Sequence, residues 1–389
     1  MRAATKAASA PVRNRCNRTQ RRTKRRVNIL LINDEFYMTG ASAALYDLAM
    51  HLKGVGHAVS VMPRVDGDGV MRQRYIDAGI PITTSANGID LVIANTISLG
   101  DNVAKFGAQF PIIWWLHEAE IGRAMILRTP AHADGFRRAA HIVFQTDFQK
   151  EVYHSFLYDT RTETSVIPFW SEAVYQKRPT RQKSKTGKRR IVAIGTIEPR
   201  KRISDVVMAV EMLHDKNLIE CLFIGKDYNL LEPPILEIIR KNPNRYQLLG
   251  EQPAASTLEY LASADAFVLA SDSESQPLSL FEAFELGIPV CLSSLETYRH
   301  VGIMHGIHGL MHPVGNVPML AANLRTVLGD PIVRSNLAKG AKLLIDTKRK
   351  VDWKVSFERV IERVWNQRRA VTPVAAATEP EKARTSATA

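Results

Sequence analysis

The stretch AFVLASDSESQPLSLFEAFELGIPV, residues 266–290, decides the reading of the chain. It opens on five apolar residues, Ala266 to Ala270, with no polar alternation. That is the pattern of a short strand covered on both faces, as in a parallel sheet. A polar loop follows. Pro277 then sets a helix start, because proline has no N–H for an interior turn but suits the first one. The helix closes on Gly287, with Pro289 beyond it. Two carboxylates, Glu274 in the loop and Glu282 in the helix, stand eight residues apart across this strand-to-helix junction. Taken alone, that spacing also fits a solvated loop acid and a dipole-favoured helix residue.

The same strand-and-helix rhythm runs outward in both directions. Val27 to Ile32 form a strand, Leu45, Leu48, Ala49 and Leu52 recur at helical spacing until Gly54 and Gly56, and AVSVM begins another strand. Further strands are expected at IDLVIAN, PIIWWL, HIVFQT and TSVIP, up to residue 168. After a basic segment the pattern restarts with RIVAIGT, a helix SDVVMAVEML with Ser204 as its N-cap, and the strands ECLFIG, RYQLLG, AFVLAS and IPVCLSS. Helices dominate from about residue 318, and VSFERVIERVW places Phe357, Val360, Ile361 and Val364 on one face. The fold class is α/β: two doubly wound domains facing a cleft. The expected division is a basic tail 1–26, a first domain 27–175, a linker 176–190, a second domain 191–352, a C-terminal helix 353–370 returning to the first domain, and a disordered tail 371–389.

Bulk properties bound the function. A chain of 389 residues fits about two domains. No apolar run approaches the roughly 18–20 residues of a membrane-spanning helix. Three scattered cysteines, Cys16, Cys221 and Cys291, make neither a metal spacing nor a disulfide framework. Cys221 and Cys291 lie in apolar surroundings that suit buried thiols, and a reducing, cytoplasmic setting is expected. The formal charge of +13 is uneven. Residues 1–26 hold ten Lys or Arg and residues 176–190 hold eight, with no acid in either. Without these eighteen, 34 basic face 39 acidic residues, a body at −5. An anionic membrane surface suits both segments, as do an acidic neighbour or simple solvation. Nucleic acid is not the expected partner.

Two more signals lie at strand ends. GTIEPRK, 195–201, puts Arg200 and Lys201 in a loop before a helix, where two cations can clamp a diphosphate. They equally extend the basic linker, although Glu198 and Pro199 interrupt it. His117, in WWLHEAE, ends a strand of the first domain. A lone histidine is as readily structural as functional. A phosphate at the helix start with hydroxyl-bearing rings on both sides would satisfy the cations and the paired acids together, and a nucleotide sugar is such a ligand.

In combination these segments resemble the retaining glycosyltransferases of the GT-B fold, family four, over about residues 27–370. GTIEPRK, LLGEQP and residues 264–290 are similar to the family's phosphate loop, base-side loop and paired-acid segment, and TGASAALYDLAMHLKGVGHAVSVM to its N-terminal glycine loop and helix. The resemblance implies that Glu282 holds the ribose, Glu274 contacts the transferred sugar, and Lys201 with Arg200 binds the diphosphate beside the amides of Leu278 and Ser279. It places Gly250 in the donor-binding base-side loop, and His117, Gly40 and Ala41 opposite, toward the donor sugar and acceptor. It implies no metal and no cofactor. The donor is a nucleotide-diphosphate sugar, and the acceptor is a glycan or lipid-linked glycan on the cytoplasmic face of a membrane. Transfer retains the anomeric configuration.

Two departures stand out. Thr196 replaces an arginine common after the phosphate-loop glycine, and Glu274-Ser275-Gln276-Pro277 replaces Glu-Gly-Phe-Gly. An epimerase or phosphorylase on the same fold, and a non-catalytic binding protein recruited by the basic segments, remain alternatives.

Overall fold

The structure, a computed structural model, describes residues 26–170, 179–180 and 186–371. Cys16, the tails and most of the basic segment 176–190 lie outside the described residues, and with them the expectations of a solvated linker, disordered tails and a membrane contact.

Two six-stranded sheets form, and every strand pairing is parallel. The first contains β1 (Asn28–Asn33), β2 (Ala58–Pro63), β3 (Leu91–Asn95), β4 (Ile112–Trp115), β5 (His141–Phe144) and β6 (Glu163–Val166), in the order β2-β1-β3-β4-β5-β6. The second contains β7 (Arg189–Ile194), β8 (Ile219–Ile224), β9 (Tyr246–Gly250), β10 (Ala266–Leu269), β11 (Val290–Ser293) and β12 (Leu310–His312), in the order β12-β11-β10-β7-β8-β9. Strand order reverses beside β1 in one sheet and between β7 and β10 in the other. Such reversals open a crevice at the carboxyl ends of the strands.

The strands are apolar because helices cover both faces. Trp114 and Trp115 show it directly: successive side chains of β4 point to opposite faces, and both indoles are fully buried, in different core clusters. Cys221 and Cys291 are buried in β8 and β11, and burial pushes both thiols up from their ordinary pKa.

The helix Trp353–Val371 follows the second sheet in sequence but packs on the first. Its Trp353 and Phe357 rings lie 5.6 and 4.9 Å from that of Trp115. Glu358 pairs with His51 at 2.5 Å, and Gln367 donates to Glu163 at 2.9 Å.

One expected cap is absent. The helix Ile203–Glu211 starts after Arg202, which is left-handed (φ 49°) and closes the short turn Pro199–Lys201. Arg202 then reaches forward to Asp205 at 2.7 Å. Ser204 therefore stands inside the helix, and its hydroxyl bonds Glu232 instead of capping. At the opening segment, Pro277 occupies the N-cap position of the helix Leu278–Leu286, and left-handed Gly287 (φ 68°) ends it.

Phe357 is fully buried. Phe357→Ala should cost about 3–5 kcal/mol, the usual range for a buried phenylalanine, and lower the thermal unfolding midpoint. An unchanged midpoint would show that this helix is not part of the first sheet's core.

Candidate functional site

Residues just beyond the carboxyl ends of nine strands line one cleft of about 600 Å³ between the two sheets. Of the side chains singled out in the sequence, Gly40, Ala41, His117, Arg200, Lys201, Glu274, Leu278, Ser279 and Glu282 line it, and Gly250 does not. Gly250 is set back, its carbonyl accepting from the Gly225 N–H at 2.9 Å, while the adjacent Glu251 and Gln252 reach the cleft. A second cavity of about 610 Å³, between Gly287 and the helix Pro331–Lys348, shares none of these residues.

Lys201 and Glu274 form the centre. Lys201 Nζ lies 2.5 Å from Glu274 Oε1, and the Ser271 hydroxyl donates to the same oxygen at 2.6 Å. Burial of Glu274 pushes its carboxyl upward. The charges of Lys201 and Arg200 and the bonds from Lys201 and Ser271 outweigh that, and hold it below the ordinary carboxylate value. The lysine reaches this point across Gly195, where an added Cβ would lie 3.2 Å from Lys201 Cε. Gly195 thus supplies both a positive φ of 151° and the room for the lysine chain.

Arg200 is fixed by its neighbours. It donates to the Ser273 carbonyl at 2.8 Å, pairs with Glu198 at 2.7 Å and lies 3.8 Å from Glu274. Thr196, where the resembling sequences often carry arginine, donates to Glu198 at 2.8 Å. Above this group stands the start of the helix Leu278–Leu286, whose first amides, Leu278 and Ser279, precede the bond from Leu280 N–H to Pro277 O. Glu282 projects into the cleft one turn further on.

The first domain faces this group with His117. Its ring packs on Trp115 and Phe169, with centroids 4.6 and 5.5 Å away, and its Nδ1 lies 2.5 Å from Gln145 Nε2. Its Nε2 is covered and has no protein partner. Burial lowers the imidazole to about 3, so it is neutral at physiological pH. The loop leading to Gly40 is pinned at the β1/β3 crevice, where Asn95 donates to Asn33 at 3.3 Å and to the Ala41 carbonyl at 3.1 Å.

Several cleft residues were not singled out in the sequence. Glu118 accepts from the Ile97 and His117 amides at 3.0 and 3.2 Å, and burial raises its pKa. Lys226 lies 3.2 Å from the centre of the Tyr37 ring, across the domains. Glu251 accepts from the Met38 N–H at 2.8 Å, and Ser273 donates to Glu120 at 2.9 Å. Gln276 uses both ends of its amide on Phe169, accepting from the N–H at 3.4 Å and donating to the carbonyl. Gln145, the first polar residue after β5, could have been found by the rule that singled out His117. Among the described residues no group of three or more His, Cys, Asp or Glu is placed to hold a metal ion, and no helix is long and apolar enough to cross a membrane.

With this geometry in hand, comparison with known proteins is informative. The profile of the family "Glycosyl transferases group 1" matches residues 175–344, and that of "Glycosyl-transferase family 4" matches residues 24–163. The N-acetyl-alpha-D-glucosaminyl L-malate synthase of Bacillus anthracis is 26% identical over 212 residues, 51% of this chain and 54% of that protein, so the chain spans about half the length of this curated relative. Among solved structures, Anabaena Alr3699/HepE in complex with UDP and glucose superposes with a TM-score of 0.70 at 16% identity, over 87% of this chain and 99% of that one. The sucrose-phosphate synthase of Thermosynechococcus elongatus gives 0.67 at 15% identity, over 88% and 100%. These likenesses establish the two-domain α/β GT-B fold. Residues 175–344 belong to the group 1 glycosyl transferases and residues 24–163 to glycosyl-transferase family 4.

Proposed function

We propose that the protein transfers a sugar from a nucleotide-diphosphate sugar to a hydroxyl acceptor, with retention of anomeric configuration and without a metal ion. One observation carries this reading: Lys201, Glu274, Glu282 and a helix start converge at the β7/β10 crevice. The diphosphate would lie against the Leu278 and Ser279 amides, where the helix dipole favours it. Lys201 and Arg200 would meet the charge that grows on the departing diphosphate. Glu282 would accept from the ribose hydroxyls and Glu274 from the transferred sugar.

The bond from the anomeric carbon to the diphosphate oxygen breaks, and the acceptor oxygen bonds that carbon from the same face. The hydroxyl proton passes to a diphosphate oxygen. Neutral His117 lines the cleft but has no charge to contribute. The residues' work is positioning and charge stabilisation. The contacts of Glu251, Lys226, Ser273 and Gln276 with the first domain hold the two walls of the cleft together.

Titration calorimetry with UDP and with pyrophosphate tests this assignment. Charged hydrogen bonds contribute about 1.5–3 kcal/mol, so Lys201→Ala should weaken both ligands roughly 10- to 150-fold. Glu282→Ala should weaken UDP alone, since pyrophosphate has no ribose. Wild-type affinity for UDP in both variants would refute the assignment.

His117 gives a second test. Its value of about 3 lies below the ordinary 6.5, so between these pH values the unfolded chain binds a proton that the folded chain refuses. The folded state therefore loses stability as pH falls from about 6.5 toward 3. His117→Gln should show a smaller drop in unfolding midpoint between pH 6.5 and 4 than the wild type. Parallel curves would contradict the burial argument.

A further inference from the structure

The acceptor side of the cleft holds a cation that the scheme above does not use. Arg74 lines the cleft from the helix Val70–Asp77. Its guanidinium carbon lies 4.1 Å from the centre of the Tyr46 ring, and Tyr46 in turn packs edge-on against fully buried Tyr75 at 5.3 Å. Its Nη1 contacts only sulfur, Met71 Sδ at 3.6 Å and Met38 Sδ at 3.9 Å. Among the described residues no carboxylate comes within ion-pair reach of it, and its remaining N–H groups have no protein acceptor. An arginine set on an aromatic ring with its planar fork unspent is preorganised for a carboxylate or phosphate.

The acids on the same wall are engaged elsewhere. Asp34 pairs with Arg64 and accepts from the Ser98 hydroxyl at 2.8 Å. Glu118 takes two backbone amides, and Asp47 has interactions of its own. Glu35, on the same wall, forms no ion pair with Arg74 among the described residues. A second feature points the same way. Met38 immediately precedes Thr39, the N-cap of the helix Gly40–Gly54. The Gly40 and Ala41 amides stand ahead of that helix's first bonds, from Ser42 N–H to Thr39 Oγ1 at 3.1 Å and from Ala43 N–H to Thr39 O at 3.0 Å. A helix start and an unspent guanidinium thus face one end of the cleft, and both favour negative charge.

We propose that the acceptor carries an anionic group, a carboxylate or a phosphate, received by Arg74 beside the start of the helix Gly40–Gly54. The proposal deepens the glycosyl-transfer reading and rests on it for the word acceptor, but the anion preference can be measured separately. Glycerol, glycerate and glycerol 3-phosphate form a neutral, carboxylate and phosphate series on one frame. Binding of each to the full chain, saturated with UDP, is read by calorimetry. Glycerate or glycerol 3-phosphate should bind at least about tenfold tighter than glycerol, and the tighter of the two names the charged group. Arg74→Gln should abolish the difference while leaving UDP affinity unchanged, which also shows that the variant is folded. Arg74→Lys should keep part of it. Equal binding of all three ligands to the wild type, or an anion preference that survives in Arg74→Gln, overturns the proposal. If UDP does not bind the wild type, the nucleotide-sugar reading fails, and the same series on nucleotide-free protein still decides whether Arg74 receives an anion.

Discussion

Parallel pairing throughout both sheets is the constraint from which the rest follows. Twelve strands run parallel to their neighbours, so within each sheet every carboxyl end lies along one edge. A parallel sheet must be covered on both faces, so helices occupy the faces and the crevice at the carboxyl ends is left open to a ligand. Chemistry-bearing residues gather there on the loops that follow the strands, such as 270–277 between β10 and the helix Leu278–Leu286. Lys201, Glu274 and His117 follow three different strands, and parallel pairing brings them to one cleft.

Within that frame the Lys201–Glu274 pair sets the electrostatics. A buried carboxylate stands a large desolvation cost only beside a matched cation. Glu274 meets that condition with Lys201 at 2.5 Å and Arg200 at 3.8 Å. The cations stay fixed in the crevice, and the carboxylate remains an acceptor for hydrogen bonds. Arg200 is itself steadied by Glu198, which also takes the Thr196 hydroxyl. Thr196 therefore serves the position of the arginine's partner rather than supplying a charge of its own.

The sequence was legible where the physics is local. Continuous apolar runs announced eleven of the strands because double-sided burial admits few polar residues, while β12, only three residues long at a sheet edge, left no such run. His117, Arg200, Lys201, Glu274 and Glu282 could be singled out beside strand ends and helix starts, and all five line the cleft; of the five that the resemblance added, Gly40, Ala41, Leu278 and Ser279 line it and Gly250 does not. Ser204 was misread because the N-cap is the left-handed Arg202, two residues earlier, which leaves Ser204 inside the helix. The interdomain contacts were not legible at all. Gln276 and Phe169 are 107 residues apart, Met38 and Glu251 are 213 apart, and neither pair is marked by spacing or composition. Arg74 belongs with them, since its importance lies in a missing carboxylate partner that only the folded surroundings reveal.

The helix Trp353–Val371 has a consequence for biosynthesis. Phe169 and Trp115 emerge from the ribosome early, yet the Trp353 and Phe357 rings that cover them are made only after the whole second sheet. At 5–20 residues per second, the intervening chain takes roughly 10–40 s to synthesise. Throughout that interval the nascent first domain exposes a bare aromatic face, a natural target for chaperones and for aggregation, and its folding can finish only once residues 353–371 have emerged.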